Sequence, residues 1–180
     1  MRRLLVKNHM SLDGFFEGLN KEIDWFGFDQ EQFDDSVALL NSVDTLLFGR
    51  TTYEMMNPYW TFAPPDPISD KMNSLPKIVF SSTLGSADWN NTRVVNGDIG
   101  EEALRLKQQA GGDMVVLGSG KLASLLLERG LVDECRVYLT PIVLGRGNPL
   151  FQQISERVNL KLVGTKSFQS GVVMLAYQAD

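Results

Sequence analysis

The stretch from Met114 to Glu134, MVVLGSGKLASLLLERGLVDE, admits few folds. Met114, Val115, Val116 and Leu117 make a short apolar run between glycines, the mark of a strand buried on both faces. Gly118, Ser119 and Gly120 break the chain. From Lys121 the apolar positions Leu122, Leu125 and Leu126 fall on one helical stripe, which Gly130 ends. A strand, a glycine turn and a helix in this order bring unpaired N–H groups and the positive end of a helix dipole to the turn. An anion is stabilised there, with phosphate or pyrophosphate the natural occupant. Residues without a β-carbon also let a ligand come close to the backbone. The same turn can serve packing alone, so the other strand ends decide between the two.

Two of them repeat the pattern. Thr45 to Phe48 form an apolar run that Gly49 breaks before a helix through Tyr53 and Met56, with Thr51 or Thr52 as its cap and Arg50 at its mouth. A guanidinium at that place suits bidentate capture of a phosphate or a surface ion pair. Lys77 to Phe80 form a third run, ended by Ser81, Ser82 and Thr83. If these strands are parallel, the three polar turns share the carboxyl edge of one sheet, where open α/β sheets bind ligands.

The remaining chain fits a sheet with helices on both faces. Arg3 to His9 reads as a first strand, and Met10 to Gly18 as a loop with a tight turn at Asp13-Gly14. Phe15 and Phe16 in that loop either close over a site or plug a core edge. His9, at a strand end, is either scaffold or a substrate contact. Trp25, Phe26 and Phe28 continue the aromatic cluster, and Asp29 opens an acidic helix with Phe33, Val37 and Leu40 on its apolar stripe. Asp34 on that helix is a candidate site carboxylate, with plain complementing of the helix dipole as the alternative. Asn57 to Ser69, with four prolines, is expected to be irregular. Val94 and Val95 make a minor strand, Ile99 to Ala110 a helix, and Cys135 to Thr140 a strand. Leu160 to Phe168 and Val172 to Gln178 close the chain as an antiparallel hairpin.

At 180 residues the chain is expected to form one domain over 1–180, without staples. Its single cysteine, Cys135, alternates with Val137 and Leu139, which reads as a core thiol in a reducing compartment. One histidine and one cysteine assemble no zinc site, so no metal is expected. The opening apolar run is too short for a signal peptide and no later run approaches a membrane span, giving a cytoplasmic expectation without membrane contact. Lys and Arg number 17 against 22 Asp and Glu, a net charge of −5 with no basic stripe, and nucleic acid is not an expected partner.

Taken in order, MSLDGFFEG, LLFGRTTYEMM, KIVFSSTL and VVLGSGKLASLLLERGLVDECRVYLTPIVLGRGNPLF resemble the dihydrofolate reductase-like superfamily. The likeness is to the reductase domain of bifunctional riboflavin-biosynthesis proteins and its stand-alone relatives. The resemblance implies a three-layer α/β/α fold with a mixed, mainly parallel sheet, and an NADPH-dependent reductase that is usually a homodimer. Carried over by position, it implies that Gly49, Arg50, Thr51 and Thr52 bind cofactor phosphate, Arg50 favouring the 2′-phosphate of NADPH. Ser81, Ser82 and Thr83 would receive the adenosine end, and Gly118, Ser119, Gly120, Lys121 and Leu122 would hold the pyrophosphate. Folate reductases carry a proton-donating carboxylate near the position of Asp34. They also bind the folate tail with an arginine just before the third strand, where this chain has only Lys77. The chain contains no HxE or CxxC, which excludes zinc deaminase chemistry.

The expected activity is hydride transfer from NADPH to a small heterocyclic or imine-bearing substrate, as in reduction of 5-amino-6-(5-phosphoribosylamino)uracil. His9, Asp13, Phe16 and Trp25 are the candidate substrate contacts. Dihydrofolate reduction and a non-catalytic nucleotide-binding protein on the same fold are the alternatives.

Overall fold

Each apolar run read as a strand forms one in the computed structural model, which describes residues 1–179. In chain order the first half comprises β1 (Leu4–Ser11), β2 (Phe15–Glu17), α1 (Gln30–Ser42), β3 (Val43–Gly49), α2 (Arg50–Phe62), α3 (Pro67–Ser74), β4 (Lys77–Phe80) and β5 (Thr92–Val95). The second half comprises α4 (Ile99–Gln108), β6 (Asp113–Leu117), α5 (Gly120–Glu128), β7 (Glu134–Thr140), β8 (Asn148–Pro149), β9 (Leu160–Ser167) and β10 (Val173–Ala179).

Eight strands build one sheet in the order β5-β4-β3-β6-β1-β7-β10-β9. All neighbours from β5 to β7 are parallel, whereas β10 runs antiparallel to both β7 and β9. This is the expected mainly parallel sheet with an antiparallel terminal hairpin. Leu4, Val6, Val116, Leu126 and Leu106 belong to a core against α4 and α5. Leu5, Leu46, Phe48, Leu40 and Met72 belong to a second core against α1, α2 and α3. With both faces covered, strand interiors read as continuous apolar runs. Among the described residues no helix is long and apolar enough to cross a membrane, and no group of three or more His, Cys, Asp or Glu is placed to hold a metal ion.

The proline-rich segment departs from expectation. Instead of an irregular excursion, α2 continues through Pro58 to Phe62, and α3 begins at Pro67. Pro58 removes a backbone bond to Glu54, but both residues are exposed, so the freed carbonyl faces solvent. Pro67 occupies the first turn of α3, where a missing N–H costs nothing, behind an Asp66–Ser69 capping box. The prolines therefore bracket helices. A second correction concerns the start of α2: neither Thr51 nor Thr52 caps it, Gly49 is the N-cap, and no side chain fills the cap. The stretch around Asp13 is also more ordered than a loop, since β1 extends to Ser11 and β2 pairs with β8.

Candidate functional site

Strands β4, β3 and β6 are adjacent and parallel, so the breaks after Phe80, Gly49 and Leu117 open on the same edge of the sheet. Two of those breaks are bonded to each other. The Gly49 N–H donates to Ser119 Oγ at 2.9 Å, and the Ser119 N–H donates to Thr52 Oγ1 at 3.1 Å. To make these bonds, Gly118 and Ser119 both adopt positive φ, 61° and 55°. Gly118 has to be glycine: a Cβ there would lie 3.1 Å from Thr52 Cγ2 in a strained backbone conformation. Gly120 has a different reason, because a Cβ would meet the Phe16 ring at 2.9 Å.

The starts of α2 and α5 thus face one cleft of about 360 Å3. Gly49, Arg50, Thr51 and Thr52 line it from one side, and Ser119, Gly120, Lys121 and Leu122 from the other. Neither helix has a side-chain cap, which leaves first-turn N–H groups without a side-chain acceptor. Lys21, Arg50 and Lys121 add three cations against one carboxylate, Glu17, whose Oε1 already accepts from Asn148 Nδ2 at 2.7 Å. Uncapped donors, two dipole ends and a cationic excess are the donor set that a dinucleotide's phosphates require. Arg50 also makes the ordinary surface pair, with Nε on Glu54 Oε1 at 2.7 Å. Its Nη1 donates to Thr83 Oγ1 at 2.6 Å and so joins the β4 turn to the cleft. Ser81 Oγ accepts from the backbone of Thr83 and Leu84, shaping that turn, while Ser82 is exposed; neither lines the cleft.

A second cavity of about 170 Å3 shares Phe16, Glu17, Thr52 and Ser119 with the cleft. Its floor is β1, from which Lys7, Asn8 and His9 reach it, and its far wall is α1, α2 and α3. Lys7 Nζ donates to Ser36 Oγ at 2.6 Å and sits 4.7 Å from the centre of the Tyr138 ring. Burial lowers its ammonium from 10.5 to about 8, with Asp35 opposing and Arg136 adding to the shift. His9 is held between Phe26 and Tyr138, ring centres 4.4 and 5.1 Å away. Burial first, and the Lys7 charge second, push it down to about 3, so it is neutral at working pH. The Tyr138 hydroxyl donates to Asp35, which also holds Lys166 at 3.2 Å.

Of the substrate contacts read from sequence, His9 and Phe16 line this cavity, and Asp13 and Trp25 do not. Asp13 instead ties the turn after β1 to the loop after β7, accepting from the N–H groups of Leu144 and Gly145 at 3.1 and 2.7 Å. Trp25 packs edge-on to Phe26 and donates to Glu22 O at 3.1 Å. Asp34 is exposed and accepts from Gln30 Nε2 at 2.9 Å, away from the cavity that Ser36 lines two residues on. Lys77 is buried, its Nζ bonded to the carbonyls of Asn73 and Leu75 at 3.3 and 2.7 Å and stacked over Trp89. Met56 and Met72 went unread because an apolar cavity wall has the same helical spacing as a core stripe, and Lys7 and Ser36 because their meeting depends on how α1 packs on β1. The one available signal was a lysine directly after the apolar run Leu4 to Val6, inside a strand.

Known proteins resemble this chain in sequence and in fold. The Bacillus subtilis (strain 168) protein YyaP, itself uncharacterized, is 38% identical over 182 residues, covering 98% of this chain and 94% of that protein. A Shewanella sp. PV-4 crystal structure described as a riboflavin biosynthesis protein superposes with a TM-score of 0.82 at 23% identity, covering 99% of both chains. A dihydrofolate reductase from Enterococcus faecalis, complexed with NADP(H), superposes with a TM-score of 0.66 at 17% identity, covering 99% of this chain and 96% of that one. These likenesses show the fold. The model of the RibD C-terminal domain matches residues 2–174, and with it the chain belongs to the RibD C-terminal domain family.

Proposed function

We propose that this protein is an NADPH-dependent reductase acting on a small heterocyclic or imine-bearing acceptor. The observation that carries the reading is the meeting of two uncapped helix starts and three cations in a cleft that shares a wall with a mostly apolar cavity. A nicotinamide cofactor bound there would supply the hydride. Arg50, with Thr83 beside it, would hold the 2′-phosphate, and the turn Gly118 to Gly120 with Lys121 the pyrophosphate. Ser81 and Ser82 would act only by shaping the adenosine end. In the cavity, Lys7 holds a proton at Nζ and can donate a hydrogen bond to the heteroatom of the acceptor as negative charge develops on it. Neutral His9 offers a flat stacking wall and no proton. The apolar side chains of α1 and α3 exclude water from the reacting centre.

Fluorescence titration with NADPH and NADH tests this. A dissociation constant for NADPH between about 1 μM and 1 mM, with NADH weaker, is expected. Absence of binding by either cofactor in that range would remove the enzyme reading. The homodimer implied by the resemblance is checked separately, by light scattering.

A further inference from the structure

The cavity beside the cleft differs from the cleft in how much charge its walls carry. Leu39 and Leu40 of α1, Met56 of α2, Ile68 and Met72 of α3 and Leu117 of β6 give it an apolar wall. Its one ammonium is Lys7, and no arginine lines it. Lys21, Arg50 and Lys121 all stand on the cleft side. The N-termini of α1 and α3 are already occupied by carboxylates, and those of α2 and α5 open mainly on the cleft. Asp29 accepts from the Gln32 N–H at 2.8 Å, and Asp66 from the N–H groups of Ile68 and Ser69 at 2.7 and 2.9 Å. A phosphate or carboxylate brought here would trade its hydration for one ammonium and the unpartnered Asn8 Nδ2, where the cleft offers three cations and two open helix starts. Lys77, the one cation positioned by sequence for a folate tail, is committed to backbone carbonyls. Size points the same way: about 170 Å3 only slightly exceeds the roughly 150 Å3 apolar cavity that takes up benzene.

We infer that the acceptor is an uncharged, predominantly apolar compound of one or two rings, with a carbonyl or imine end toward Lys7, and that phosphorylated ribosylaminopyrimidines and folates are excluded. This rests on the reductase reading above. In the net change the acceptor carbon gains a hydride and its oxygen or nitrogen a proton from solvent, the double bond becoming single. NADPH is oxidised to NADP⁺.

The test compares 1,4-naphthoquinone, 2-cyclohexenone and quinoxaline with 5-amino-6-(5-phosphoribosylamino)uracil and dihydrofolate. Binding to the protein with and without NADP⁺ is followed by calorimetry, and turnover by NADPH oxidation. At least one uncharged compound is expected to bind and to be reduced with kcat/KM about 100-fold or more above either charged one. Turnover of a charged compound within about tenfold of the best uncharged one overturns the inference. So does NADPH binding with no uncharged compound bound, an outcome that leaves the reductase reading intact. An uncharged ring that binds to a protein which ignores NADPH would do the reverse, sinking the reductase and keeping the apolar cavity.

Discussion

At about 8, the Lys7 ammonium is mostly charged at neutrality and titrates just above it. The groups around it are Asp35 and Ser36 of α1, His9 on its own strand, and Arg136 and Tyr138 of β7. Because the charged form is the donor, it is complete below pH 8 and lost as pH rises through 8. Turnover should fall on that alkaline limb. Lys7→Met should lower kcat by about 10²–10⁴-fold and abolish the limb, with NADPH affinity retained. His9 acts on stability instead. Its folded value of about 3 lies below the ordinary 6.5, so below pH 6.5 the unfolded chain takes up a proton that the folded chain refuses. Stability is complete above pH 6.5 and should decline by about 1.4 kcal/mol per pH unit as pH falls toward 3. Denaturant unfolding at pH 7.0 and 5.5 measures this, and His9→Phe should flatten the difference. Asp34 shows the limit of reading a single residue. One position along a helix is a rotation of about 100°, enough to separate exposed Asp34 from Asp35 bonded to Tyr138, and no spacing rule settles which of the two faces inward.

The turns after β3 and β6 form a single knot, since Ser119 both accepts from Gly49 and donates to Thr52. Ser119→Ala leaves the Gly49 N–H without its partner and should cost about 1–3 kcal/mol by denaturant unfolding. Gly118→Ala adds an unfavourable φ and a crowded Thr52 methyl, for about 1–2 kcal/mol, with NADPH affinity reduced as well. The existence of these elements was legible because Thr45 to Phe48, Lys77 to Phe80 and Met114 to Leu117 are apolar runs with polar ends. Their bonding to one another was not, because a serine at positive φ leaves no mark on local pattern. Pro58 misled for a related reason. A proline costs a helix less where the carbonyl it displaces can turn to solvent, and exposure is a tertiary fact.

Across the molecule, cation excess and apolar wall lie in adjoining halves of one gap. Ligands in the two halves should therefore respond differently to salt. NADPH at about 100 times its dissociation constant should raise the melting temperature by about 5–10 °C. Raising ionic strength should erode that shift, because Lys21, Arg50 and Lys121 are exposed, whereas binding of an uncharged ring should hold or improve. Differential scanning fluorimetry at low and high salt checks both. A mainly parallel sheet with an antiparallel edge follows from alternating β and α segments closed by β alone, which is why the sheet class was legible and its strand order was not. The cavity required α1, α2 and α3 to converge over β1, and their inward residues look like any other core.

The hydrogen bonds of the Ser119 knot involve none of Leu39, Leu40, Ile68 and Met72, four of the residues on the neighbouring chamber's apolar wall. A lineage built on this scaffold can exchange those four side chains and acquire a new reactant while the electron donor's berth stays as it was.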